Sequence, residues 1–241
     1  MLATSIEETE ELLDRERSSH LSYSRINRYL TCPEQYRLYY IDRLRPRVDS
    51  ASLVFGTVIH VAIADLFRSG EDPVSHFHRD WENLKQVQLR FNKHESWEDF
   101  NTKGGKLLKQ FLEVEAPKIR KTFGVERKFE LRATALHRPF IGSIDLVAQV
   151  ENRITVVDFK TATSDYEEHE AVLSDQLTAY SLAEPAAEQV AFCILVKTKE
   201  PRIEWHFAKR GVGDLAEYVD KVRLVSEDIA AGKFYKRPGK Q

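Results

Sequence analysis

An α/β fold, a mixed β-sheet flanked by helices with a helical insertion, is predicted by three features of this 241-residue chain. A long amphipathic helix is centred near residue 60. Strand patterns run from residue 126 to 160, with one short polar turn between the last two. Strand patterns return at 189–208 after a helical stretch. Helices that precede, interrupt and follow the strands build a sheet with helices on its faces. Hydrophobic residues make up 42% and charged residues 31%, the balance of a soluble globular domain long enough for one large core.

Taken in order, residues 1–20 are polar and acidic and are read as a tail to a domain over 21–241. They lack a basic start followed by an apolar stretch, so no secretory leader is expected. No apolar run approaches the ~20 residues of a membrane span, so a cytoplasmic location without a membrane partner is expected. Leu21 to Leu30 reads as a short helix with Ser22 or Ser24 near its start. Thr31-Cys32-Pro33-Glu34 reads as the start of a second helix running to about Asp42. There Thr31 would cap, Pro33 suits the first turn and Glu34 completes a capping box. Val54 to Arg68 places Val58, Ile59, Ala62, Ile63, Leu66 and Phe67 at helical spacing, and Gly70 ends that helix.

Residues 73–123 read as the helical insertion, broken near Gly104-Gly105. Glu126 to Ala135, Pro139 to Val150 and Ile154 to Lys160 read as strands. Tyr166 to Leu182 reads as a helix, Gln189 to Lys197 as a strand, Arg202 to Ala208 as an alternating edge strand and Gly213 to Ala231 as a last helix. The two cysteines, Cys32 and Cys193, are too few for a disulfide framework or a four-cysteine metal site. Cys193 sits in the apolar run Val190–Val196 and reads as a core residue.

The formal charge is −2, so overall charge does not point to a polyanion. Between Arg25 and Arg47, however, Arg25, Arg28, Arg37, Arg43, Arg45 and Arg47 outnumber Glu34 and Asp42. A local basic patch matters more than the total for nucleic acid, although a solvated helix face would look the same.

The most informative segment is Gly142-Ser143-Ile144-Asp145 followed by Asp158-Phe159-Lys160. Alternation along a strand puts Asp158 and Lys160 on one face. With Glu151-Asn152 as a two-residue turn, Val150 pairs with Arg153 and Asp145 falls opposite Asp158. Directly opposed residues hold their Cβ atoms ~4.5–5.5 Å apart. Two carboxylates so placed repel each other, and a hard divalent cation would relieve that and use their oxygens as ligands. Lys160 could hold an attacking water or offset charge developing on a phosphate. From this geometry alone a metal site and a charged, exposed strand face both stay open. His60, one helical turn after Gly56, sits at the edge of its helix's apolar stripe, where it is either structural or a ligand suited to Mn²⁺. Gln176 and Tyr180 share a helix face and offer an amide, a hydroxyl and a ring to a phosphate or base.

In order, Ser22-Tyr23-Ser24 with Tyr29-Leu30-Thr31-Cys32-Pro33 and Tyr36, Gly56-Thr57-Val58-Ile59-His60, Gly142–Asp145, Asp158–Thr161 and Gln176–Tyr180 resemble the RecB-like nucleases of the PD-(D/E)XK superfamily. The resemblance runs from about residue 21 to the end. It implies a restriction-endonuclease-like core and hydrolysis of DNA, as an exonuclease on ends or single strands, with Mg²⁺ or Mn²⁺. It assigns His60, Asp145, Asp158 and the Phe159 carbonyl to the metal, Lys160 to the water or transition state, and Gln176 and Tyr180 to bracing and substrate contact. Glu126 resembles an acidic position ahead of the metal-binding strands. Arg25, Arg28, Tyr29 and Tyr36 are implied DNA contacts beside Gln176 and Tyr180. Many relatives carry a four-cysteine iron–sulfur cluster. Here Cys32 stands at the first ligand position and the other three are absent, so no cluster is expected in this chain. Either the cluster was lost or the chain was cut before it. No Walker A loop occurs, so a helicase partner would be another chain. The rival readings are a catalytically silent DNA-binding module of the same fold and a metal hydrolase with a non-nucleic substrate. The intact His60, Asp145, Asp158 and Lys160 set counts against the first, and the arginines and tyrosines of 25–47 against the second.

Overall fold

The computed structural model describes residues 20–93, 95–133, 136, 138–164 and 166–237. All but His20 of the expected acidic tail lies outside the described residues. The chain divides into two units: residues 1–45, 128–142 and 212–241 form one, and 46–127 and 143–211 the other.

In the first unit, helix α1 (Tyr23–Thr31) starts at Ser22, whose hydroxyl accepts the Arg25 N–H. Thr31 does not cap the next helix as its sequence suggested. It ends α1, and its hydroxyl donates to the Asn27 carbonyl. Cys32 takes the cap position of α2 (Pro33–Tyr36), which passes into a π-helical turn over Arg37–Ile41. The last helix of the chain, Val212–Ala230, also belongs here. Gly232 adopts φ 69°, a left-handed turn that glycine enters without a Cβ penalty. The chain then returns along α1 and α2. Phe234 stacks on Tyr36 with ring centroids 6.0 Å apart, and the Tyr29 hydroxyl donates to the Lys233 carbonyl at 2.7 Å. The Glu34 N–H donates to the Tyr235 carbonyl, while the Tyr235 ring stays exposed. Of the two tail aromatics, Phe234 therefore docks by its ring and Tyr235 by its backbone.

The second unit is built on helix α3 (Ala51–Ser69), ended by Gly70 in the left-handed conformation. By length and composition α3 could cross a membrane, contrary to the expectation from the sequence that no run was long enough. Its buried residues Phe55, Val58, Ile59, Ala62 and Ile63 instead join one core with Phe77, Trp81, Phe100, Leu107, Phe111 and the sheet residues Leu146, Val157 and Leu195. Helices α4 (Pro73–Asn83) and α5 (Trp97–Gln110) form the insertion, which ends in a π turn and a 3₁₀ turn at Lys118. Strand β3 (Ile119–Leu131) thus begins earlier than predicted. Its first half is polar and exposed, so no apolar alternation marked it. A two-residue parallel pair, β1 (Asp49–Ser50) with β2 (Leu89–Arg90), was also unpredicted.

Helix α5 runs unbroken through Gly104-Gly105, where a break was expected. The glycine is there for contact: a Cβ on Gly104 would lie 2.1 Å from the Phe77 ring. Gly104→Ala should therefore destabilise the protein by ~1–3 kcal/mol through overpacking, outweighing the ~1 kcal/mol that alanine gains in helix propensity. Urea unfolding measures this, and an unchanged midpoint would contradict the packing.

The five-stranded sheet has the order β3, β4 (Phe140–Val150), β5 (Arg153–Ala162), β6 (Gln189–Val196), β7 (Arg202–Ala208). β4 and β5 are antiparallel, β5 and β6 parallel, and β6 and β7 antiparallel, the mixed sheet expected. Glu151 and Asn152 carry φ of 52° and 66°, as a type I′ turn requires. Val150 pairs with Arg153 and the register continues to Leu146 opposite Val157. The predicted helix Tyr166–Leu182 is two: α6 (Glu168–Val172) and α7 (Asp175–Ala183). The break falls at Ser174, whose hydroxyl accepts the Leu177 N–H and starts α7.

Candidate active site

All the residues of this site lie in the second unit. The hairpin of β4 and β5 sets its floor. In an antiparallel pair, hydrogen-bonded and non-bonded positions alternate. Counting from the turn, the Phe159 N–H would next meet the Ile144 carbonyl. The ladder stops one position earlier, and the Phe159 N–H donates instead to Asp145 Oδ2 at 2.9 Å. The β4–β5 pairing thus ends at Leu146 and Val157, and the hairpin opens at the two aspartates.

Helix α3 closes on this opening from one side. A Cβ on Gly56 would sit 3.0 Å from Thr161 Oγ1, so glycine permits the approach. One turn on, His60 Nδ1 lies 3.4 Å from Asp145 Oδ2, and the ring meets the Phe159 ring edge to face at 6.3 Å. Glu126 has φ 48° inside strand β3, a non-glycine residue in the left-handed region. Such strain in a strand accompanies a local kink that re-aims a side chain. The Glu126 carboxylate accepts the Ser143 hydroxyl at 3.2 Å. Gly56, His60, Glu126, Phe159, Lys160 and Thr161 line one cleft of about 660 Å³.

Helix α7 closes on the other side. Gln176 Nε2 donates to Asp158 Oδ1 at 2.7 Å and to the Tyr180 hydroxyl at 2.9 Å, while its Oε1 accepts Lys160 Nζ at 2.8 Å. The Tyr180 hydroxyl donates to Asp158 Oδ1 at 3.3 Å. One amide therefore fixes both Asp158 and Lys160. Arg210, which the sequence reading missed, ties this helix down. Its guanidinium donates to Thr178 Oγ1 and to the Ala171 and Ser174 carbonyls. A lone arginine after a strand gave no signal, because these partners, one threonine hydroxyl and two carbonyls, are more than thirty residues away.

Burial, then repulsion from Asp158, pushes the Asp145 carboxyl well above the usual carboxylate range, against the pull of the Phe159 N–H. Burial lowers the His60 pKa despite the attraction of Asp158, so the imidazole keeps a lone pair at neutral pH. Burial works against the charge on Lys160, but Asp158 outweighs it and the net shift is upward. Burial and Asp158 likewise keep the Tyr180 phenol protonated, a hydrogen-bond donor. Asp158 Oδ2 is buried and takes no aligned hydrogen bond, although Lys160 Nζ is 2.6 Å away. A carboxylate whose charge burial and its neighbour disfavour, a second with a buried oxygen that takes no aligned hydrogen bond, an imidazole and a backbone carbonyl form a donor set that a divalent cation satisfies.

The residues implied as DNA contacts fare differently. Tyr36 is fully buried, and Tyr29 and Arg25 are 3% and 7% exposed. They pack the first unit: Tyr29 and Tyr36 meet edge to face, and Arg25 lies over the Tyr40 ring. The two tyrosine rings are engaged by their neighbours and by Phe234, so stacking on a base would require opening that core. Arg28 is half-buried over Tyr39, while Arg43, Arg45 and Arg47 are exposed.

His60→Ala should raise the divalent-ion concentration needed for half-maximal stability gain or activity by ~10-fold or more, the usual effect of losing a ligand or its support. A metal titration followed by thermal melting checks this. An unchanged midpoint would make His60 a packing residue only.

A family model described as the PD-(D/E)XK nuclease superfamily matches residues 20–241. Among solved structures, this chain is similar to a protein from Eubacterium rectale described as a "Putative exonuclease". The TM-score is 0.57 and the identity 11%, over 90% of this chain and 81% of the other. It also matches the crystal structure of SSO0001 at TM-score 0.44 and 14% identity, over 91% of this chain and 79% of the other. No curated protein matches the sequence significantly.

Proposed function

We propose that this chain, which belongs to the PD-(D/E)XK nuclease superfamily, is a divalent-metal-dependent deoxyribonuclease of its RecB-like branch that acts as an exonuclease. One observation carries the reading. His60 Nδ1 and Asp145 Oδ2 converge within 3.4 Å on a hairpin whose Asp158 and Lys160 are locked by one glutamine. His60, Asp145, Asp158 and the Phe159 carbonyl would hold Mg²⁺ or Mn²⁺. When bound, the ion acidifies a water and neutralises charge on the scissile phosphate.

The chain's own groups do the rest. Lys160, held charged by Asp158, presents its ammonium to the attacking water or the phosphate oxygens. Gln176 keeps that ammonium from collapsing onto Asp158 alone, and Tyr180 shares the load on Asp158 Oδ1. Glu126, which lines the same cleft as Lys160, is a further acceptor for water. Exposed Arg43, Arg45 and Arg47 would meet DNA phosphates, in place of the buried Arg25, Tyr29 and Tyr36. The exonuclease assignment rests on the branch resemblance. A linear substrate should be shortened from its ends while a closed circular single strand of the same sequence stays intact. Equal cleavage of the circle would make the enzyme an endonuclease.

With one cysteine at Cys32 and the other, Cys193, buried within β6, the reading includes no iron–sulfur cluster. Purified protein should contain no iron. Cys32→Ser should cost under about 1.5 kcal/mol, since it breaks no metal bond. Stoichiometric iron, or a Cys32→Ser protein unable to fold, would reverse this.

A further inference from the structure

We infer that Asp65, Glu71 and His76 form a second metal site, for Zn²⁺ or a similar first-row transition ion, separate from the catalytic cluster. Asp65 lies five residues beyond His60 on α3, a spacing that turns it ~140° around the helix. Glu71 follows the Gly70 turn, and His76 is in the first half of α4. His76 is 4% exposed. Its Nε2 lies 3.0 Å from Asp80 Oδ2. His76 Nδ1 is buried and makes no aligned hydrogen bond. Nδ1 is aimed at two further acceptors, Glu71 Oε2 at 3.3 Å and Asp65 Oδ2 at 3.6 Å.

Three potential ligand atoms thus converge with no aligned hydrogen bond from Nδ1, an arrangement that a cation completes. The carboxylates are already fixed from behind. Arg68 holds Asp65 Oδ1, and Arg79 holds both Glu71 Oε1 and Asp80 Oδ1. The Asp80–His76 contact is the carboxylate–histidine support that orients imidazole ligands at metal centres. The spacing also fits. Bonds of ~2.0–2.1 Å meeting at the tetrahedral angle separate donor atoms by ~3.3–3.4 Å, and the three ligand atoms here all lie within 4.8 Å of one another. One imidazole and two carboxylates leave a fourth position for water, and a nitrogen ligand favours Zn²⁺ over Mg²⁺. The bound ion would clamp α3 to α4 across the Gly70 turn.

The test uses metal-stripped full-length protein in an Asp145→Asn background, which disables the catalytic cluster. Zn²⁺ binding is measured by competition with a chromogenic chelator, and circular dichroism verifies the fold. One Zn²⁺ should bind, and Asp65→Asn and Glu71→Gln should each weaken it by about tenfold or more. Mg²⁺ should not compete. Absence of bound Zn²⁺, or affinity unchanged in both folded variants, would overturn the site.

Discussion

Asp158→Ala and Lys160→Ala are expected to abolish DNA cleavage while leaving the protein folded. Lys160 offers the one ammonium that the cluster aims at the cleft. Removing a single such electrostatic group typically costs ~10²–10³ in rate, and the loss of Asp158 should exceed this because it also removes a ligand. The two variants should differ in kind. Asp158→Ala weakens metal binding, whereas Lys160→Ala lowers the rate at saturating metal with little change in metal affinity. Folding should survive in both. Asp158 is buried beside Asp145, so its removal relieves one repulsion, and the Gln176–Tyr180 hydrogen bond stays in place. Cleavage at the wild-type rate by either folded variant would end the site assignment.

The second large effect concerns stability. Asp145→Asn should stabilise the metal-free protein at neutral pH and abolish the stabilisation that metal gives the wild type. Burial and Asp158 raise the folded pKa of Asp145, so the fold holds this proton more tightly than the unfolded chain does. Such a group contributes nothing adverse below the unfolded carboxyl pKa of ~3.9. Its destabilising effect grows as pH rises through the interval up to the raised folded value, and is complete above that. Asparagine removes the charge and keeps a carbonyl to accept the Phe159 N–H. A gain of ~0.5–2 kcal/mol at pH 7 in EDTA is expected, vanishing below about pH 4. At ~100-fold excess over its dissociation constant, a bound ion stabilises the wild type by ~2.7 kcal/mol, and Asp145→Asn should lose that gain. A variant less stable than the wild type in EDTA would show that Asp145 is an ordinary structural carboxylate.

The hairpin that carries both effects was legible in the sequence because it is local. A two-residue polar turn fixes the register, the register fixes which carboxylates face each other, and period-two alternation places Lys160 beside Asp158. The helix of His60 was legible for a similar reason, since its apolar stripe is local and His60 sits at the edge of it. What failed depends on contacts distant in sequence. Gly104 looked like a helix break because the Phe77 ring that requires it belongs to another helix. The start of β3 lacked alternation because that half of the strand is exposed. Thr31 matched a capping box, yet α1 continues through it and Cys32 takes the cap. Tyr29 and Tyr36 were grouped with the arginines as a surface, but the returning tail puts Phe234 against them. The Arg210 brace does not follow from pattern, because it reaches a threonine hydroxyl and two carbonyls more than thirty residues away.

The most direct test of the central claim, that His60, Asp145, Asp158 and Lys160 form a metal-dependent nuclease site, is one cleavage assay. End-labelled single- and double-stranded DNA is incubated with wild-type protein and with Lys160→Ala in Mn²⁺, in Mg²⁺ and in EDTA. The wild type should degrade DNA with Mn²⁺ or Mg²⁺ and stop in EDTA, and Lys160→Ala should be inactive in every condition. Metal-dependent cleavage that survives Lys160→Ala, or no cleavage by the wild type with either ion, would contradict it.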